Sequence, residues 1–259
     1  MKFFDFKLYT VAANTSRELI RDKILYILLF FAIALLALSL LLSELSANQN
    51  LRLTVDFGFS CILLSICTMT LFIGATLVFR EIDKKTILFL MSYPITRSQF
   101  LIGKFFGFVH IILFLLVGLG LMLCLTLFSL GWTYHVSYSI ALYGIFLEML
   151  ILLSFTILLG TVIRPFLVVG CGVGIFLIGH GINGFYNIAH GGKNAFLRHL
   201  STVLIHIFPN LENMNWMNNV IYNQVATGAQ IFSATMYSIG WTLFFLILAT
   251  VAFRRRDFV

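Results

Sequence analysis

The sequence predicts an all-α polytopic membrane protein, and three observations carry that prediction. Of its 259 residues, 60% are hydrophobic and 10% charged, against about 25% charged in an ordinary soluble domain. Six apolar runs of roughly twenty residues or more recur along the chain, each long enough to cross a hydrocarbon core of about 30 Å as a helix. The 17 Lys and Arg gather between alternate runs instead of scattering evenly. With 28 Phe, 9 Tyr, 3 Trp and a mean hydropathy of +1.01, the chain is too apolar for disorder, and the six spans leave no room for a sizeable soluble domain.

Residues 1–23 come first. Phe4, Leu8, Val11 and Leu19 recur at helical spacing with charges between them, the pattern of an amphipathic helix lying in the membrane surface as an anchor or a partner contact. Thr15 and Glu18 read as T-x-x-E, which predicts a new helix from Ser16 into the first span. No cleavable leader is expected, because the first apolar run is about 20 residues long and lacks an A-x-A site after it. The predicted spans are 24–43, 57–79, 105–130, 138–163, 166–186 and 231–253. With six spans both termini share a side, and that side holds 14 of the Lys and Arg, leaving Arg52, Lys193 and Arg198 opposite. The excess of basic residues places both termini in the cytoplasm. The net charge of +7 is therefore read as topology, and no nucleic acid partner is expected.

The connections are unequal. Residues 131–137 and the Arg164-Pro165 corner are tight turns, the proline suiting the first turn of the next helix. Residues 80–104 are overbuilt for a connection that usually takes about 2–8 residues. Glu81 and Asp83 open a short helix, with Glu81 placed i,i+4 to Lys85. An apolar patch follows at 87–91, Ser92-Tyr93-Pro94 ends the helix, and Thr96 with Gln99 forms a capping box for the third span. Residues 187–230 are the third large segment. Their apolar stretch at 200–208 is too short to cross, so one or two re-entrant or interfacial helices are expected, with Trp216 at the interface.

Glu148 is the one acidic residue inside a predicted span, about 15 Å deep. It reads either as a protonated carboxyl hydrogen-bonded within the bundle or as the site of a proton-coupled secondary carrier, with no basic partner expected in another span. Ala141 and Gly144 on its face allow another helix to approach. Cys61, Cys67, Cys124 and Cys171 read as small core residues, and His110, His180 and Asn183 as interhelical hydrogen-bonding groups or cavity lining. An intramembrane hydrolase would need a nucleophile motif that is missing. Metal-ligand spacings of the H-E-x-x-H kind are absent, and neither Gly103-Lys104 nor Gly192-Lys193 completes a phosphate-binding P-loop.

Three stretches resemble the membrane subunits of ABC-2 type exporters: E-L-I-R-D-K-I-L-Y-I-L-L at 18–29, R-E-I-D-K-K-T-I-L-F-L-M-S-Y-P-I-T-R-S-Q-F-L-I-G-K at 80–104, and F-R-R-R-D at 253–257. The resemblance implies a single permease domain of six helices in the bacterial inner membrane, exporting or flipping a substrate. ATP and Mg would be bound by a separate cytoplasmic ATPase, present in two copies beside a homodimer or heterodimer of permeases. It makes Glu81, Thr86, Leu90, Pro94 and Arg97 the coupling helix that docks in a groove of the ATPase. It also makes the amino-terminal helix a second contact, and the helices within 187–230 the exit gate.

Overall fold

The computed structural model describes residues 2–44, 50–83, 96–191, 195–222 and 224–254. Among them every regular element is a helix. Helix α1 is Lys2–Ile20, α2 Lys23–Glu44, α3 Asn50–Leu77 and α4 Phe79–Asp83. Then come α5 Arg97–Ser129, α6 Val136–Gly160, α7 Pro165–Gly191 and α8 Ala195–Ile207. A 3-10 turn at Leu211–Met214 leads to α9 Met217–Ile221 and α10 Gly228–Arg254. Five helices are long and apolar enough to cross a membrane (Leu51–Glu81, Arg97–Ser129, Val136–Gly160, Pro165–Gly191 and Gly228–Arg254), and Lys23–Leu38 of α2 is a shorter apolar helix. The chain is a multi-pass membrane protein.

The bundle is centred on α3 and α6. Helix α3 touches α2, α5, α6, α7 and α9, while α6 touches α5, α7, α9, α10 and the 3-10 turn. Their sequences explain this position. Phe59, Ile62, Ile66, Met69 and Ile73 alternate spacings of three and four residues and are fully buried, which makes one continuous seam down α3. On α6, Ser154 and Thr156 are equally buried but bond back to the carbonyls of Ile151 and Leu153 at 2.8 and 2.9 Å, so neither hydroxyl is stranded. Ser238 of α10 donates to the Leu147 carbonyl at 2.9 Å, fixing α10 on α6.

Helix ends follow local chemistry. The Thr96 hydroxyl accepts from the Gln99 N–H, and the Gln99 side chain accepts from the Thr96 N–H, so the predicted capping box opens α5. His135 caps α6, Gly131 takes the positive φ of 82° that the α5–α6 turn needs, and α7 begins at Pro165.

The predicted restart at Ser16 is corrected. The Thr15 hydroxyl donates back to the Val11 carbonyl at 2.9 Å, and α1 runs unbroken to Ile20. A threonine bonded to the preceding turn cannot cap the next helix. That role passes to Asp22, whose Oδ1 accepts from the Ile24 N–H at 3.0 Å. Two other readings change. Only Cys67 of the four cysteines is fully buried, and Cys171 is exposed on the outer face of α7. His110 is likewise exposed on α5 and lines no interhelical contact face.

Candidate functional site

The connection that the sequence singles out emerges from α4 and re-enters at α5, so the groups lining that end of the bundle come first. Thr86, Leu90 and Pro94 lie outside the described residues. Glu81 and Arg97 flank the segment, and each is engaged with the bundle itself.

Lys104 sits eight residues into α5, where the chain is otherwise F-L-I-G-K-F-F-G-F. Its side chain is 4% exposed, with Nζ donating to Glu18 Oε2 at 3.0 Å and to Glu81 Oε1 at 2.9 Å. The ammonium also lies 5.7 Å from the Phe100 ring centroid, a cation–π contact. An ammonium this buried is tolerated only with carboxylates at hydrogen-bond distance. One cation therefore joins three elements: α1 through Glu18, α4 through Glu81, and α5. A second pair, Arg80 with Asp22, ties α4 to the turn between α1 and α2. Burial opposes ionisation of Asp22, but the Ile24 N–H and the Arg80 guanidinium outweigh it and hold the carboxyl below its ordinary value.

Helix α1 is clamped to α5 beyond these charges. A Cβ on Gly107 would come within 2.7 Å of the Ala12 carbonyl oxygen, so only glycine lets the helices approach this closely. Ser16 Oγ donates to the Gly107 carbonyl at 3.0 Å. At the far side, Arg97 Nη1 donates to the carbonyls of Phe253 and Arg254 at 3.3 and 3.0 Å. These are orphan acceptors at the end of α10, so both ends of the connection are tied to the bundle: α4 to α1 and α5, and the start of α5 to α10.

The second polar site lies at mid-bundle. Glu148 on α6 is fully buried and has a basic neighbour that was not expected: His180 Nε2 of α7 is 3.4 Å from Glu148 Oε2. His180 Nδ1 donates to the Phe176 carbonyl at 3.2 Å, so it is Nε2 that faces the carboxyl. Glu148 Oε1 and Oε2 and His180 Nε2 form no hydrogen bond among the described residues. The pair is thus a close polar contact between α6 and α7. The 3-10 turn is packed against this region. A Cβ on Gly144 would meet the Met214 carbonyl oxygen at 2.1 Å, and Asn210 Nδ2 donates to Asn183 Oδ1 at 2.6 Å.

The sequence singles out Glu81, Arg97 and Glu148 as candidates but passes over Lys104, Glu18, Asp22 and Arg80, which the structure joins in ion pairs. The signal available was the isolation of Lys104 in an apolar run, which demands a carboxylate partner. Glu81 was paired with Lys85, which lies outside the described residues, and the structure joins it to Lys104. Among the described residues no group of three or more His, Cys, Asp or Glu side chains gathers as a metal site.

The family model described as ABC-2 family transporter protein matches residues 9–258. No curated protein matches the chain. With nearly every residue inside that match, and with an all-helical bundle of long apolar helices beneath it, the chain belongs to the ABC-2 transporter family and is the membrane-embedded permease subunit of such a transporter.

Proposed function

We propose that the chain crosses the bacterial inner membrane six times with both termini in the cytoplasm, and moves its substrate outward, or out of the inner leaflet, with ATP hydrolysed by a separate subunit. Helix α2, 22 residues long, supplies the sixth crossing. The 14-to-3 division of basic residues supports the orientation, which puts the Lys104 cluster and residues 80–104 on the ATPase side.

One observation carries the mechanism: Lys104 bonds at once to Glu18 and Glu81. In this reading Thr86, Leu90 and Pro94 lie in the helix that seats on the ATPase, while Glu81 and Arg97 hold its two ends to the bundle. A push on the segment passes through Glu81 to Lys104 and α5, through Glu18 to α1, and through Arg97 to α10. Such a linked set of charges moves as a unit, as a rigid-body switch requires. Two permeases and two ATPases form the working assembly, as a homodimer or heterodimer. Gly170, Gly174, Gly181 and Gly184 share one face of α7, and a Cβ there would meet nothing within 4 Å, which supports close approach of a second copy. Helices α8 and α9 with the 3-10 turn would gate the exit.

The test is co-purification after gentle solubilisation together with ATPase measurement. The wild-type chain should bring down a P-loop ATPase whose rate responds to the permease, and Pro94→Glu should lose that response while the permease remains folded. Repeated isolation without an ATPase would overturn the reading. The Glu148–His180 contact favours one alternative, a proton-coupled carrier. For that reading Glu148→Gln must abolish transport in vesicles given a proton gradient and no ATP.

A further inference from the structure

We propose that a groove between α5, α6 and α10 is a binding site for one acyl chain of an anionic phospholipid, whose headgroup is held at the α10 carboxy-terminal end by Arg254. The groove encloses about 630 Å³ and its lining is almost wholly carbon. Ile102, Phe105 and Val109 of α5 form one wall, Phe146 and Leu150 of α6 the floor, and Leu243 and Val251 lie on the α10 wall. From Ile239 to Arg254 the α10 side runs 15 residues, roughly 22 Å. One leaflet's hydrocarbon is about 15 Å deep, half of the core, so the groove takes the full length of a single chain.

The charged group of the lining lies at one end, while Thr242 and Thr250 also line the α10 wall, the Thr250 hydroxyl donating to the Leu246 carbonyl at 2.8 Å. Arg254 and Ser98 line the same end of the groove, and Arg255 and Arg256 follow directly in the sequence. A helix carboxy-terminus ordinarily repels an anion through its unpaired carbonyls. Here Arg97 bonds to the Phe253 and Arg254 carbonyls, offsetting that partial negative charge. An arginine at the end of an apolar slot one leaflet deep matches a phosphate headgroup with an acyl tail. Which leaflet supplies the lipid rests on the orientation proposed above; the site itself does not.

The experiment is native mass spectrometry of the full chain in mild detergent, titrated with phosphatidylglycerol or phosphatidylcholine. The wild-type chain should retain phosphatidylglycerol in preference to phosphatidylcholine. Arg254→Gln, which leaves its main-chain carbonyl in place, should reduce that preference about fivefold. Val251→Trp and Leu243→Trp, at positions 45% and 53% exposed, should fill the slot and lose both lipids while the thermal midpoint is kept. Equal retention of the two lipids by the wild-type chain would overturn the proposal. So would unchanged retention in both tryptophan variants, or a Val251→Cys crosslink between two copies, which would make the groove a protein interface. Impermeant labelling of the loops reads orientation separately, so an inverted topology with intact lipid selectivity would remove the topology reading alone.

Discussion

Replacing Lys104 with methionine keeps the length and most of the volume of the side chain while deleting its charge. The two carboxylates it serves are not equivalent: the Glu81 side chain is 16% exposed and the Glu18 side chain 49%. Removing one partner of a buried pair costs about 3–5 kcal/mol, whereas an exposed pair contributes about 1 kcal/mol or less. Glu18 can turn to water, so the expected loss sits near the lower bound, about 3 kcal/mol. Double-mutant cycles pairing Lys104→Met with Glu81→Gln and with Glu18→Gln should give a Lys104–Glu81 coupling of about 2 kcal/mol, in the range of charged hydrogen bonds. The Lys104–Glu18 coupling should be below about 1 kcal/mol. Equilibrium unfolding in mixed micelles, followed by circular dichroism, measures every corner of both cycles. Hydrogen exchange on α1 should rise in Lys104→Met, because the charge that helps seat α1 on α5 is gone. A coupling to Glu18 equal to that of Glu81, or a total loss under about 1 kcal/mol, would refute the claim that burial on α5 makes this cation the hub.

Three further outcomes follow from the same geometry. Gly144→Ala puts a Cβ 2.1 Å from the Met214 carbonyl oxygen, and should destabilise the protein by about 1–3 kcal/mol, with faster exchange confined to the 3-10 turn and its flanks; an unchanged thermal midpoint and exchange pattern would contradict the packing. Asp22 is ionised more readily in the folded chain than in the unfolded one, so its stabilisation is present above its unfolded value of about 3.9 and fades as pH falls through the lower folded value. The stability difference between wild type and Asp22→Asn should therefore be full at neutral pH and shrink below about pH 4; a difference independent of pH would remove the ionic role. Arg97→Gln strips the carbonyls of Phe253 and Arg254 of a cationic donor and should speed amide exchange in the last turn of α10 about fivefold, the equivalent of about 1 kcal/mol; unchanged exchange there would contradict it.

Reading the sequence succeeded where a signal is local. The Thr96–Gln99 capping box and the proline opening α7 each depend on residues within one or two turns and are found where expected, and five of the six apolar runs fall in helices long enough to cross a membrane. The failures share a different cause. Thr15 and Glu18 carry the letters of a capping box, yet the helix continues because Thr15 bonds back to Val11 and Glu18 is taken by Lys104, 86 residues away. Glu148 was read without a basic partner because His180 lies on another helix, and its neutral and charged forms are indistinguishable in a residue string. Cys171 was placed in the core because an apolar run does not say which of its faces meets lipid.

Composition and periodicity alone determined that this chain is a helical membrane protein with several long apolar helices, and which connection is too large to be a turn. Those properties follow from transferring short stretches of backbone and side chain into hydrocarbon, which each stretch does nearly independently. Partner choice among the buried charges was decided only by tertiary packing. Lys104 could have met any carboxylate near its end of the membrane, and it was the close approach of α1 over Gly107 and the turn at Val78 into α4 that brought Glu18 and Glu81 to it. Coulomb attraction and desolvation act on distances through space, and those distances exist only after the helices have packed.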